Sequence, residues 1–116
     1  MSLIVLFASS TFCAVNGITP SFAVETNQTP IRVGLSTGQG TLRSPEEGLW
    51  SISASWERDW PEDWHHAHPE SVETQGEWTI VRGRLPMAGG TWLLSDAYRP
   101  EKGCIRCTRR FEWHSD

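Results

Sequence analysis

The chain has 116 residues, 38% of them hydrophobic, with three cysteines and a formal net charge of −4, which bounds it to one small domain. Its apolar runs fall short of the roughly 18 residues that a membrane-spanning helix needs, so no stable membrane anchor is expected. Charge is split along the chain: residues 24–81 carry 10 acidic and 3 basic side chains, residues 82–116 carry 7 basic and 4 acidic. That division suits cross-strand Arg–carboxylate pairs and argues against nucleic acid, which needs a basic field.

The first segment, Leu3 to Val15, is an apolar run followed by Asn16, Gly17, Ile18, Thr19 and Pro20, then the small-x-small tripeptide Ser21, Phe22, Ala23. Residues 1–23 read as a signal peptide cleaved after Ala23, although they contain no Lys or Arg. This reading makes the protein secreted or periplasmic. A buried N-terminal strand or helix is the alternative. Cys13 falls inside the run, with no lipobox before it.

Residues 24–48 form a polar lead-in with one short strand, marked by the alternation of Ile31, Val33 and Leu35. Residues 49–116 carry the remaining strands. Trp50, Ile52, Ala54 and Trp56 alternate with Ser51, Ser53, Ser55 and Glu57, which predicts a half-buried strand with Trp50 and Trp56 in the core. A loop is expected over residues 58–76, bounded by Pro61, Pro69 and Gly76. Trp78 and Ile80 then share a strand face. A glycine turn at Gly89 and Gly90 leads into Thr91 to Tyr98, with Trp92, Leu94 and Tyr98 on one face and Asp96 intruding among them. After a turn at Arg99 to Gly103, Cys104 to Trp113 is the last and longest strand.

Short strands separated by Gly and Pro turns, with no 3.6-residue stripe, predict an all-β fold, an antiparallel β-sandwich. The chain stops just after its longest strand, without a turn or an evident partner strand, and so reads as an incomplete fragment of a larger sandwich. Trp50, Trp56, Trp78, Trp92 and Trp113 are assigned to the core. Asp96 is expected to pair with an arginine such as Arg109 within the sheet, and an anion or carboxylate site there is the functional alternative.

The densest functional candidate is the loop from Arg58 to Glu70. Trp60 and Trp64 provide stacking faces, Asp59, Glu62, Asp63 and Glu70 provide acceptors, and His65, His66 and His68 provide imidazoles. Saccharides present the complement, hydroxyls for carboxylates and an apolar C–H face for an indole. The ligand-binding set is therefore Trp60, Trp64, Asp59, Asp63, His65, His66, His68 and Glu70, and carbohydrate is the expected partner. The alternative is that both indoles merely cap the end of the sandwich. A metal on His66, His68 and Glu70 is disfavoured, since structural zinc wants four ligands, generally from distant segments. The Cys104–Cys107 spacing places the two thiols on opposite faces of a strand, so neither a shared metal nor a mutual disulfide is easy. No cofactor is expected, and no acid or base for glycoside cleavage can be assigned.

Gly90 to Arg99, with Trp92, Asp96 and Tyr98, followed by Lys102 to Trp113, with Arg109, Phe111 and Trp113, resembles the opening β-sandwich of large secreted bacterial glycoside hydrolases. The resemblance covers residues 77–114. It implies a non-catalytic N-terminal domain that contributes to saccharide binding, with the cleaving acids in a downstream catalytic domain outside this chain. Whether the chain has enzymatic activity is thereby left open. The alternatives are a stand-alone secreted module for sugar or protein and, further off, a small metal-dependent enzyme.

Overall fold

A computed structural model describes residues 3–116. Among them there is no helix: the chain forms ten strands, β1 (Leu3–Cys13), β2 (Ser21–Glu25), β3 (Arg32–Thr37), β4 (Gly40–Arg43), β5 (Trp50–Glu57), β6 (Trp60–Ala67), β7 (Ser71–Gln75), β8 (Trp78–Met87), β9 (Gly90–Glu101) and β10 (Cys104–Ser115). They build an antiparallel five-stranded sheet in the order β1-β10-β9-β8-β7, a three-stranded sheet β2-β3-β4 and the hairpin β5-β6. The all-β antiparallel class read from the strand periodicity is the class observed.

The five-stranded sheet is the platform. Its long hairpins turn at Ala88-Gly89 and at Lys102-Gly103, and Lys102 and Gly103 both have positive φ, 46° and 79°, as a two-residue type I′ hairpin requires. One face of the platform carries Val81, Leu85, Leu94, Tyr98, Ile105 and Cys107, all buried. Val33 from β3 and Trp50 and Ala67 from the β5-β6 hairpin complete this core, and Phe22, Val24, Leu35 and Leu49 pack against it. The small sheet and the base of the hairpin therefore lie over one face of the large sheet, in a sandwich-like arrangement. The Phe22 and Tyr98 rings, stacked 5.4 Å apart, join the two layers.

Residues 3–13 form the edge strand β1, paired with β10 from Leu3↔His114 to Cys13↔Cys104. The partner that the sequence reading leaves missing for β10 is thus β1, which is far away along the chain. A disulfide joins Cys13 to Cys104 across this ladder, while Cys107 is free and buried. The cysteine spacing alone points to Cys104 as a strand-start residue, which it is, but does not reveal this distant bond. The cleavage point considered after Ala23 lies inside β2.

Two of the five tryptophans assigned to the core, Trp56 and Trp78, lie elsewhere. Trp50 is fully buried, but Trp56, on the same face of the same strand, is 69% exposed. Period two reports which face a side chain takes, and β5 runs beyond the area that the platform covers. Trp78 occupies the opposite face of β8 from Val81 and lies beneath the Arg99 guanidinium, 5.4 Å from its ring centre. Trp92 and Trp113 are half-buried on the core-side face and pack on one another at 5.3 Å.

Candidate functional site

The segment expected to be a loop over residues 58–76 is mostly strand. Residues 60–67 form β6, paired with β5 from Glu57↔Trp60 to Trp50↔Ala67, and residues 71–75 form β7. Pro61 is tolerated because the hairpin has only two strands, which leaves β6 with an open edge. The ladder is interrupted where Ala54 faces Asp63. Asp63 there takes φ 53°, and the Ser53 hydroxyl bridges the gap by donating to the Glu62 carbonyl at 2.5 Å and the Ser55 carbonyl at 2.8 Å. Register resumes unshifted at Ser53↔Trp64, so alternation of faces is preserved along all of β6.

The hairpin is anchored at one end and projects at the other. At its base the Trp50 ring lies against Gly83 of β8: a Cβ on Gly83 would fall 2.7 Å from Trp50 Cζ3 and 2.6 Å from the His68 carbonyl oxygen. Only a glycine allows that approach. Towards the turn the side chains enter solvent, and Trp60 and Trp64 are 71% and 49% exposed.

The register sorts the expected site residues into three places. Trp60, Glu62, Trp64 and His66 share one face with Ser51, Ser53, Ser55 and Glu57 of β5. Trp60 and Trp64 are four residues apart on one strand, about 13 Å at the usual rise. Two shallow hollows open on this face, one formed by Glu57, Arg58, Asp59, Trp60 and Glu62, the other by Glu47, Ser51, Trp64 and His66. His66 Nδ1 lies 2.7 Å from the Ser51 hydroxyl. Asp63 and His65 lie on the reverse face, 3.4 Å apart, together with Trp56. His68 and Glu70 fall beyond β6. The Glu70 carboxylate accepts from Arg84 Nε at 3.2 Å, and its backbone N–H donates to the Arg82 carbonyl.

Four of the eight expected residues are thereby kept apart from the indole face or turned from it. Trp60, Trp64 and His66 share it, Asp59 sits at its tip, and Asp63, His65, His68 and Glu70 do not belong to it. Sequence reasoning missed Glu47, Ser51 and Glu57. The signal was present in the Ser51, Ser53, Ser55, Glu57 alternation, which marks a polar face without revealing what stands beside it. Among the described residues no group of three or more His, Cys, Asp or Glu side chains is placed to hold a metal ion.

A second polar constellation lies in the core. Asp96, with no solvent exposure, accepts from Trp50 Nε1 at 3.0 Å, from Tyr98 Oη at 2.8 Å, and from Arg109 Nε and Nη2 at 2.8 Å each. The pair expected between Asp96 and Arg109 is therefore formed, side-on and bidentate. Burial, then the Asp96 charge, pushes the Tyr98 hydroxyl far above its ordinary pKa and the Cys107 thiol up to about 11. The hydrogen bond to Asp96 raises Arg109 further. All four oxygen lone-pair positions of the carboxylate have donors, so this cluster is a structural clamp that ties β5 to β9 and β10.

No protein family, curated protein or solved structure matches the chain.

Proposed function

We propose that the chain is a saccharide-binding β-domain of a secreted or periplasmic carbohydrate-active protein, and that it binds sugar without cleaving it. The single observation that carries this reading is the pair of exposed indoles, Trp60 and Trp64, on one face of a projecting strand with Glu62 between them. An exposed indole offers a large flat apolar face with a polar N–H at its edge. The carboxylates of Glu57, Asp59 and Glu62 and the hydroxyls of Ser51 and Ser55 flank the rings and suit sugar hydroxyls. A saccharide chain laid along β6 would meet both rings in turn.

The Cys13–Cys104 disulfide supports an oxidising compartment. Association with a glycoside hydrolase, with cleavage performed by another domain, rests on the resemblance of residues 77–114 alone. The test is tryptophan-fluorescence titration of the protein against a panel of soluble polysaccharides. Saturable quenching by at least one member is the expected result. Absence of any response across neutral and acidic polysaccharides overturns the reading.

A further inference from the structure

A second recess, lined mainly by apolar side chains, lies remote from the indole face. It is a cleft of about 380 Å³ between the small sheet and the platform, within the range of about 300–1,000 Å³ common for small-molecule sites. Its walls are apolar: Phe12 and Ile105 on the platform side, Phe22, Leu35 and Leu42 on the small sheet. Phe12 and Leu42 stay 39% and 67% exposed, although each lines a recess that a tighter closure of the two layers would fill. Interiors are ordinarily packed without such gaps.

Polar groups reach this cleft from both layers, Ser10, Tyr98, Cys107 and Arg109 on the platform and Arg43 and Ser44 on the small-sheet side. Arg109 donates Nε and Nη2 to Asp96, and its hydrogen bonds among the described residues do not use Nη1. Its guanidinium is partly exposed, so the two Nη1 N–H groups are available as donors. The charges are already balanced. Asp96 neutralises Arg109 at 2.8 Å, and Glu25 neutralises Arg43, the other charged lining residue, at 2.5 Å. Cys107, its pKa pushed up by burial, stays a neutral thiol at neutral pH.

We propose that this cleft binds an uncharged, elongated apolar molecule bearing one acceptor oxygen, such as a long-chain ketone or ester, with its tail between Phe12, Phe22, Leu35 and Leu42 and its oxygen on Arg109 Nη1. Charge complementarity selects against a carboxylate, which would be desolvated beside Asp96 with no unpaired cation to meet it. The apolar walls select for the tail by area alone. The site is independent of the saccharide face, which lies on the other hairpin.

The test is fluorescence titration with Nile red, a neutral apolar dye with a carbonyl acceptor, on protein whose intact mass shows residues 3–13 present and Cys13 oxidised. Saturable, blue-shifted emission at one site is expected. Ser10→Phe places a ring in the cleft from β1, where Ser10 is exposed and lines the recess, and is expected to weaken binding about tenfold or more. Ala8→Trp gives an independent block from the same strand, so a folding failure of one variant, visible by circular dichroism, does not remove the test. A long-chain methyl ketone is expected to displace the dye at least tenfold more effectively than the alkane of equal length or the matching carboxylate. Absence of saturable dye binding, equal dye binding by folded Ser10→Phe and Ala8→Trp, or displacement that ignores the oxygen overturns the proposal. So does sedimentation showing that the recess is closed by a second copy of the chain that excludes the dye.

Discussion

Trp50 and Trp60 belong to the same hairpin and meet opposite environments. Trp50 begins β5 with its ring against Gly83 and its N–H on Asp96, fully buried. Trp60 opens β6 at the far end, with its ring mostly in water. The base of the hairpin is fixed by a clamp in which every hydrogen-bonding position of a buried carboxylate is satisfied. The arm is held by its own two-strand ladder and by little else. An isolated two-stranded hairpin is marginal in water, so the arm owes its order to the base. Burial along this hairpin therefore follows the distance from the platform, while strand parity decides only which face a side chain takes.

The sharpest way to break the contrast is at the clamp. Asp96→Asn keeps the shape but sets an amide N–H₂ against the Tyr98 hydroxyl and Arg109 Nη2, both donors, and leaves Arg109 without its counter-charge. Loss of one partner of a buried pair costs about 3–5 kcal/mol, so urea denaturation is expected to show a large fall in midpoint. A loss below about 1 kcal/mol would mean that the clamp is not what holds β5 down.

The next effect is pH dependence in the core. Burial pushes the Cys107 thiol up to about 11 in the folded protein, above its ordinary value of 9.0. The unfolded chain therefore releases this proton first, and stability falls as pH rises from about 9 through 11. The stabilisation is fully present below pH 9, and its loss is of order 2 kcal/mol. Melting temperature measured across pH 8–11 is expected to fall less steeply in Cys107→Ala than in the native protein, once the lower starting stability of the variant is allowed for. Tyr98 contributes in the same direction.

Gly83→Ala is expected to cost about 1–3 kcal/mol, because the added methyl meets Trp50 and the His68 backbone at distances that demand a shift. Circular dichroism melts measure this. Smallest is the expected effect on stability of Trp60→Ala, within about 0.5 kcal/mol, since this ring is 71% exposed. A cost comparable with that of Gly83→Ala would show that this indole is structural after all.

How much of this was legible differs by region. β5, β8, β9 and β10 alternate clearly, and Asp96 among Trp92, Leu94 and Tyr98 correctly announced a buried pair with Arg109. The exposure of Trp56 was not legible, because alternation fixes a face but not whether another layer covers it. β6 was hidden by Pro61, three imidazoles and four acids between Arg58 and Glu70, a composition typical of loops; the strand persists because its partner β5 is strongly alternating. Residues 3–13 lack the polar alternation that marks a half-buried strand, and the bond from Cys13 to Cys104 spans 91 residues, beyond any local pattern. For the candidate site, the two indoles and His66 could be named, but their separation from Asp63, His65, His68 and Glu70 depends on register.

The proposed saccharide site occupies one face of the β5-β6 arm and not the other. The most direct measurement is affinity for a polysaccharide that binds the native protein, compared across Trp60→Ala, Trp64→Ala and Trp56→Ala. A loss of about tenfold, or 1.4 kcal/mol, is expected for each of Trp60→Ala and Trp64→Ala, and native affinity for Trp56→Ala, whose ring on the reverse face is about as exposed as that of Trp60. Equal losses for all three, or a loss confined to Trp56→Ala, would contradict this placement of the site.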